Sequence, residues 1–215
     1  MKSLITFEGI EGSGKSTQMR LVAEYLIEKN VPLLITSEPS GTDIGRKIGG
    51  ILFNRGHHYM CAETEVFLFC AARSQHVREM IMPALKENRV VLCDRFSDAT
   101  YAYQGIGRGL SLEFIKLIND YSSMSLRPDL TFLFDLPVEI GLKRAMERND
   151  LLKESSFSDR FEREHLDFHR RVREGYLSIY KREPKRIRLI DATRDIDTIQ
   201  EEVRRQIVDF INLRN

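Results

Sequence analysis

The sequence has little cysteine, no surplus of either charge and no long apolar run. Its three cysteines, Cys61, Cys70 and Cys93, are odd in number and lack the paired spacing of a metal site. That argues against a disulfide framework and against cysteine-ligated zinc. Cys93 ends the apolar run Val90–Cys93 and reads as a core residue. The 33 basic and 32 acidic residues nearly cancel, so the basic excess of a nucleic-acid binder is missing. No apolar stretch approaches the roughly 20 residues that cross a membrane, and the first residues show no charged-then-apolar leader pattern. These absences predict a cytoplasmic protein with no nucleic-acid or membrane partner. Repeats, low-complexity tracts and linkers are also missing. A chain of 215 residues, 42% hydrophobic, suits a single domain spanning 1–215.

What is present is alternation. Leu4–Phe7, Leu33–Thr36, Val90–Cys93, Leu130–Leu136 and Ile187–Ile190 are short apolar runs bounded by polar residues. Strands buried on both faces of a parallel sheet look like this. Helix-length segments lie between them: Lys15–Lys29, Glu63–Lys86, Leu112–Tyr121, Val138–Arg148 and Phe161–Tyr180. The last helix carries Ile196, Ile199, Val203, Ile207 and Ile211 on one face. The pattern predicts an α/β fold, a parallel five-stranded sheet with helices on both faces. One polar break, from Arg148 to Arg160, separates two helices and reads either as a solvated connector or as a mobile lid.

Gly9-Ile10-Glu11-Gly12-Ser13-Gly14-Lys15-Ser16 matches the phosphate-loop pattern GxxxxGK[ST], and it stands between a strand and a helix as that loop must. Its glycines let backbone N–H groups converge on phosphate oxygens, and the helix start adds positive potential. Lys15 is expected on the β and γ phosphates and Ser16 on Mg²⁺. With Thr17, the segment is expected to hold ATP. The loop alone leaves the acceptor open. It also fits a kinase for another deoxynucleotide or for a deoxynucleoside, or a regulatory protein that binds ATP. Downstream, the strand Val90–Cys93 delivers Asp94 and Arg95 at its C-terminal end, where ligands bind in open α/β sheets. Phe69 and Arg73 are four apart and share a helical face. A ring there can stack on a base and an arginine fork can read its edge.

These segments together resemble the thymidylate kinase family over nearly the whole chain. The matching pieces are Asp94-Arg95-Phe96, Phe69-Cys70-Ala71-Ala72-Arg73, Thr100-Tyr101-Ala102-Tyr103-Gln104-Gly105 and Glu38-Pro39-Ser40-Gly41-Thr42. The resemblance implies a P-loop nucleotide kinase fold, transfer of the ATP γ-phosphate to dTMP, and a homodimer. It implies that Arg95 holds the monophosphate, that Asp94 serves Mg²⁺, and that Phe69 and Arg73 contact thymine. Thr100 and Gln104 would bond the pyrimidine edge, and Tyr103 would lie against the sugar. Glu38 would sit at the substrate site, and Glu11 would face a sugar hydroxyl. Several departures matter: Ser40 stands for the family's second-position glycine, and Ser37 stands where an arginine is common before the glutamate. The family's phosphate-clamp arginine is Gly49 here, with Arg46 or Lys47 as candidate substitutes. The P-loop has no arginine, so Asp159-Arg160-Phe161-Glu162, which resembles a bacterial-type lid, would supply the catalytic one. Arg160 is the first candidate and Arg148 the second. His57, His58 and His76 are expected to be structural or surface residues.

Overall fold

The computed structural model describes residues 2–151 and 160–212. Its five strands are β1 (Ser3–Gly9), β2 (Leu33–Ser37), β3 (Val90–Asp94), β4 (Leu130–Asp135) and β5 (Ile187–Asp191). All pair in parallel, in the order β2-β3-β1-β4-β5. Every residue of β1 is buried, Ser3, Thr6 and Glu8 included, as befits the central strand of the sheet. Its neighbours β3 and β4 are buried almost throughout, while the edge strand β2 is partly exposed. A parallel sheet needs both faces covered. Successive β1 residues therefore feed different cores. Leu4 packs with Val91, Val77 and Ile81 on one side. Ile5 and Phe7 join Leu92, Val22 and Val203 on the other.

The covering helices are α1 (Lys15–Glu28), α2 (Asp43–Leu52), α3 (Ala62–His76), α4 (Met82–Lys86), α5 (Ser97–Thr100), α6 (Leu112–Ser122), α7 (Val138–Leu151), α8 (Leu166–Arg182) and α9 (Ile196–Asn212). In α9 the predicted stripe is buried at Ile199, Val203, Ile207 and Ile211, and Ile196 alone lies exposed. Each such aliphatic side chain contributes roughly 1.5–3 kcal/mol when removed from water. Among the described residues no helix is long and apolar enough to cross a membrane.

Three segments differ from expectation. The helix expected over Glu63–Lys86 is divided by a π turn at Val77–Ile81. Ser97–Gly107 is helical, α5 running into a second π segment, Tyr101–Gly107. A widened turn of this kind re-aims side chains, and it is frequent at functional sites. The helix expected from Phe161 begins at Leu166, after a short 3₁₀ turn at Arg160–Arg163.

The register brings the site together. Phe7 of β1 stands opposite Asp94 of β3, and Ser37 of β2 stands opposite the same Asp94. The C-terminal ends of three strands therefore meet at one edge, the place where open α/β sheets bind ligands.

Candidate active site

The loop after β1 is shaped by close approach. Gly12 has φ +69°, and a Cβ there would lie 2.0 Å from the carbonyl oxygen of Gly141. The loop therefore rests directly on the first turns of α7. Gly14 caps α1 with φ +81°, and its free side faces open space. No side chain caps α1 and no acidic residue lies in its first turn. Its leading N–H groups are thus left for an anion, as a phosphate cradle requires.

Lys15 is nearly buried, and its Nζ lies 3.4 Å from the Ile10 carbonyl oxygen. Burial, joined by the charge of Arg95, lowers its pKa below the usual lysine value. Arriving phosphates would oppose that shift and hold the ammonium charged. Ser16 donates to Asp94 Oδ2 at 2.5 Å. Asp94 Oδ1 is buried and has no hydrogen-bond partner. Two hard oxygen donors meeting beside the cradle, one of them unsatisfied, fit a Mg²⁺ ion or its water shell. Among the described residues no group of three or more His, Cys, Asp or Glu forms an all-protein metal cage.

Arg95 follows β3 in a left-handed conformation, φ +66°, which costs an arginine energy that its contacts must offset. Its Nη1 donates to Tyr176 at 3.0 Å, and its Nη2 donates to Glu11 at 3.0 Å and Tyr103 at 3.1 Å. Tyr103 in turn donates to Glu11 Oε1 at 2.5 Å. Burial alone would raise the Glu11 carboxyl, but His169, Arg95, Lys15 and Tyr103 outweigh it and hold it far below the usual range. Beneath this cluster, Glu8 is fully buried. It accepts from the Phe96 backbone N–H at 2.7 Å and from Tyr176 at 2.8 Å. Burial, with Asp98 adding repulsion, pushes the Glu8 pKa up to about 8.

A cavity of about 310 Å³ opens beside the loop. Its lining includes Lys15, Glu11 and Arg95, the last two bonded to each other, and Phe69, Gln104, Arg73 and Thr100, the last two bonded to each other. Phe53 and Phe161 flank Phe69, with ring centroids 6.4 and 6.1 Å from it. Arg73 is 1% exposed. Its Nε donates to Glu38 at 2.8 Å, Nη1 to Asn119 at 2.6 Å, and Nη2 to Thr100 at 2.9 Å and the Phe96 carbonyl at 3.1 Å. His76 supports the same Glu38 from 3.4 Å while bonding Thr36 at 2.7 Å. His76 is buried and braces a cavity wall through Glu38.

The two lid candidates part company. Arg148 lines the cavity and lies 3.1 Å from Glu162. Arg160 is 7% exposed and stands outside the cavity lining. Its guanidinium donates to Glu65 at 2.5 Å and to the Leu52 carbonyl at 3.1 Å, and lies over Phe161. Glu65 also accepts from Gln104 and Arg108. Arg160 thus anchors the end of the segment to α2 and α3. Residues 152–159 of the expected lid, Asp159 among them, lie outside the described residues. Arg46 and Lys47, the candidate substitutes for the arginine missing at Gly49, lie away from the cavity. Both pair with Asp43 on the solvent face of α2, held there by i,i+3 and i,i+4 spacing, and neither lines the cavity.

Glu8, Glu65, Asn119 and His169 were not anticipated. A carboxylate at the end of the apolar run Leu4–Phe7 was the available signal for Glu8; Glu65 sits in the polar start of α3 beside Glu63 and Thr64 and offered none. Asn119 and His169 lie within ordinary amphipathic patterns and offered none.

An anion cradle at the end of the central strand, sharing its lysine with a cavity lined by aromatic rings and arginines, defines a P-loop nucleotide kinase. Residues 7–203 match the thymidylate kinase family. The chain is 50% identical to the thymidylate kinase of Syntrophus aciditrophicus (strain SB) over 207 residues, covering 96% of this chain and 94% of that protein. It is 43% identical over 212 residues to the thymidylate kinase of Geotalea daltonii, covering 99% of each. The crystal structure of thymidylate kinase from Ehrlichia chaffeensis superposes with a TM-score of 0.75 at 33% identity, covering 98% of both chains. The chain belongs to the thymidylate kinase family.

Proposed function

We propose that the loop from Gly9 to Thr17 holds ATP and that the adjoining cavity holds dTMP, base toward Arg73 and phosphate toward Arg95. The enzyme is a thymidylate kinase that phosphorylates dTMP to dTDP. The observation supporting this placement is the cavity itself. Lys15 and Arg95 share its phosphate end, while Phe69 and Arg73 share its base end.

The chemistry demands alignment and charge, with little covalent help. The acceptor phosphate oxygen is already ionised, so no general base is needed. Arg95 exchanges Glu11 and the tyrosines for the acceptor phosphate. Lys15 stabilises charge on the transferring group. Arg148, on the cavity wall, supplies the arginine charge that the P-loop lacks; Arg160 pairs with Glu65 instead. Ser16 and Asp94 would hold Mg²⁺, which supplies charge neutralisation on the donor phosphates. At the base end, Phe69 stacks and the Arg73–Thr100–Gln104 group reads the pyrimidine edge. Tyr103 lies against the sugar, where a 2′-hydroxyl would crowd it.

The protein acts in the cytoplasm as a homodimer. Leu117 and Tyr121 of α6 are exposed, as is Phe67 of α3, which packs edge-on against Phe114 of α6. Such an apolar ridge favours a partner surface. Leu117→Glu should give monomers in sedimentation. An acceptor panel tests the substrate. Phosphorylation of dTMP should exceed that of dCMP, dGMP and thymidine by at least about a hundredfold in kcat/KM, the discrimination that buried polar partners supply. Equal rates would end the assignment.

A further inference from the structure

His169 lies in the first turns of α8, and its side chain is 0% exposed. Neither ring nitrogen has a hydrogen-bond partner among the described residues. A buried imidazole left this way is uncommon enough to require a reason. The atom it faces is Glu11 Oε2, 3.5 Å from its Nδ1. That oxygen is also buried and also without a hydrogen-bond partner. The other carboxylate oxygen, Oε1, is crowded by Arg95 and Tyr103. Glu11 therefore divides its oxygens. Oε1 serves Arg95 and Tyr103, and Oε2 faces His169 with no hydrogen bond among the described residues.

The division has a consequence. For Arg95 to grip an acceptor phosphate it must loosen its hold on Glu11. A buried carboxylate that loses its cation is penalised by several kcal/mol. A short movement brings a 3.5 Å pair to the roughly 2.8 Å of a charge-assisted hydrogen bond. The ring is set for it. Phe168 lies edge-on at 5.5 Å, and Tyr176, seven residues further along α8, holds Arg95 Nη1. One helix thus carries a partner for each member of the Arg95–Glu11 pair.

We propose that His169 is a positioning residue for the acceptor site: it takes over Glu11 through Oε2 as the acceptor phosphate draws Arg95 away. The inference rests on the reading that Arg95 holds that phosphate.

The test is calorimetric binding of dTMP to the whole chain. His169→Leu should weaken dTMP about tenfold, the size of one lost hydrogen bond to a charged group. His169→Gln, which keeps an N–H donor, should stay within about threefold of wild type. Binding of a non-hydrolysable ATP analogue should be unchanged in both. In a Glu11→Gln background, His169→Leu should add less than about twofold, because the charged partner is already gone. Equal losses for Leu and Gln, or a tenfold loss persisting in that background, would overturn the proposal. Should His169→Leu fail to fold, nuclear magnetic resonance of ring-¹⁵N histidine decides. Addition of dTMP alone should move the His169 ring signals, assigned with His169→Gln, and unmoved signals would overturn the proposal. Absence of dTMP binding by the wild type would instead remove the functional reading beneath it.

Discussion

Arg73 and Arg95 face the same cavity, yet they are held in opposite ways. All three nitrogens of Arg73 are bonded to groups that stay in place, namely Glu38, Asn119, Thr100 and a backbone carbonyl. Arg95 is bonded to a carboxylate and two phenols, in a strained backbone conformation, beside orphaned atoms on Glu11 and Asp94. On the proposed placement the base end, at Arg73, is fully bonded before any ligand arrives, and the phosphate end, at Arg95, has its charges balanced by contacts that a phosphate can replace. The difference suits the work proposed for each end. Recognition of a neutral ring gains from rigidity, because little entropy is lost on binding. Transfer of a highly charged group gains from charges that are placed but not committed.

The largest test of this contrast is Lys15→Ala, which removes the cation shared by loop and cavity. Turnover should fall by about a thousandfold, the scale of losing a preorganised charge partner. Normal turnover would show that the loop is not the donor site. Next is Arg73→Ala, which leaves the buried Glu38 without its arginine. Removing one member of a buried pair costs about 3–5 kcal/mol, so the melting temperature and dTMP affinity should drop together. A loss of affinity with unchanged melting would mean that the base end is less finished than its bonds imply. The two lid arginines come third. Arg148→Ala should lower kcat about tenfold or more with little effect on melting, since its side chain is 58% exposed. Arg160→Ala should lower the melting temperature, because Glu65 loses a buried partner, and should affect kcat less. The reverse pattern would reassign the catalytic role to Arg160.

The smallest effect concerns Glu8, which braces both ends through Phe96 and Tyr176. Its folded pKa of about 8 lies above the ordinary 4.5. The native state therefore binds the proton more tightly than the unfolded chain. That contribution is complete below about pH 4.5 and is lost as pH rises through about 8. Melting should fall over this window, and Glu8→Gln should flatten the fall by a few degrees, measured by thermal scans at stepped pH.

Much of this was legible in the sequence, for identifiable reasons. Strands buried on both faces announce themselves as apolar runs, and the phosphate loop is marked by glycines that few other structures demand. Phe69 with Arg73, and Asp94 with Arg95, could be read because local spacing or a strand end fixes where they point. Arg160 was harder. It lies in a polar stretch and is nonetheless buried, because its partner Glu65 is far away in the chain and lies inside α3. The pairing of His169 with Glu11 is hidden for the same reason. Periodicity tells which face a residue takes, and only the fold tells what comes to meet it. The π segment at Tyr101–Gly107 was likewise invisible, since its glycines and tyrosines follow no 3.6-residue stripe.

The contact between Gly12 and Gly141 reaches further than local packing. It seats the donor loop on α7, and the same helix carries Arg148 seven residues later, about 10 Å along its axis. The helix is therefore a ruler built into the chain. The gap between the cradle and the cavity-wall arginine is counted in residues, so inserting or deleting a single one between Gly141 and Arg148 would swing the arginine about 100° around the helix.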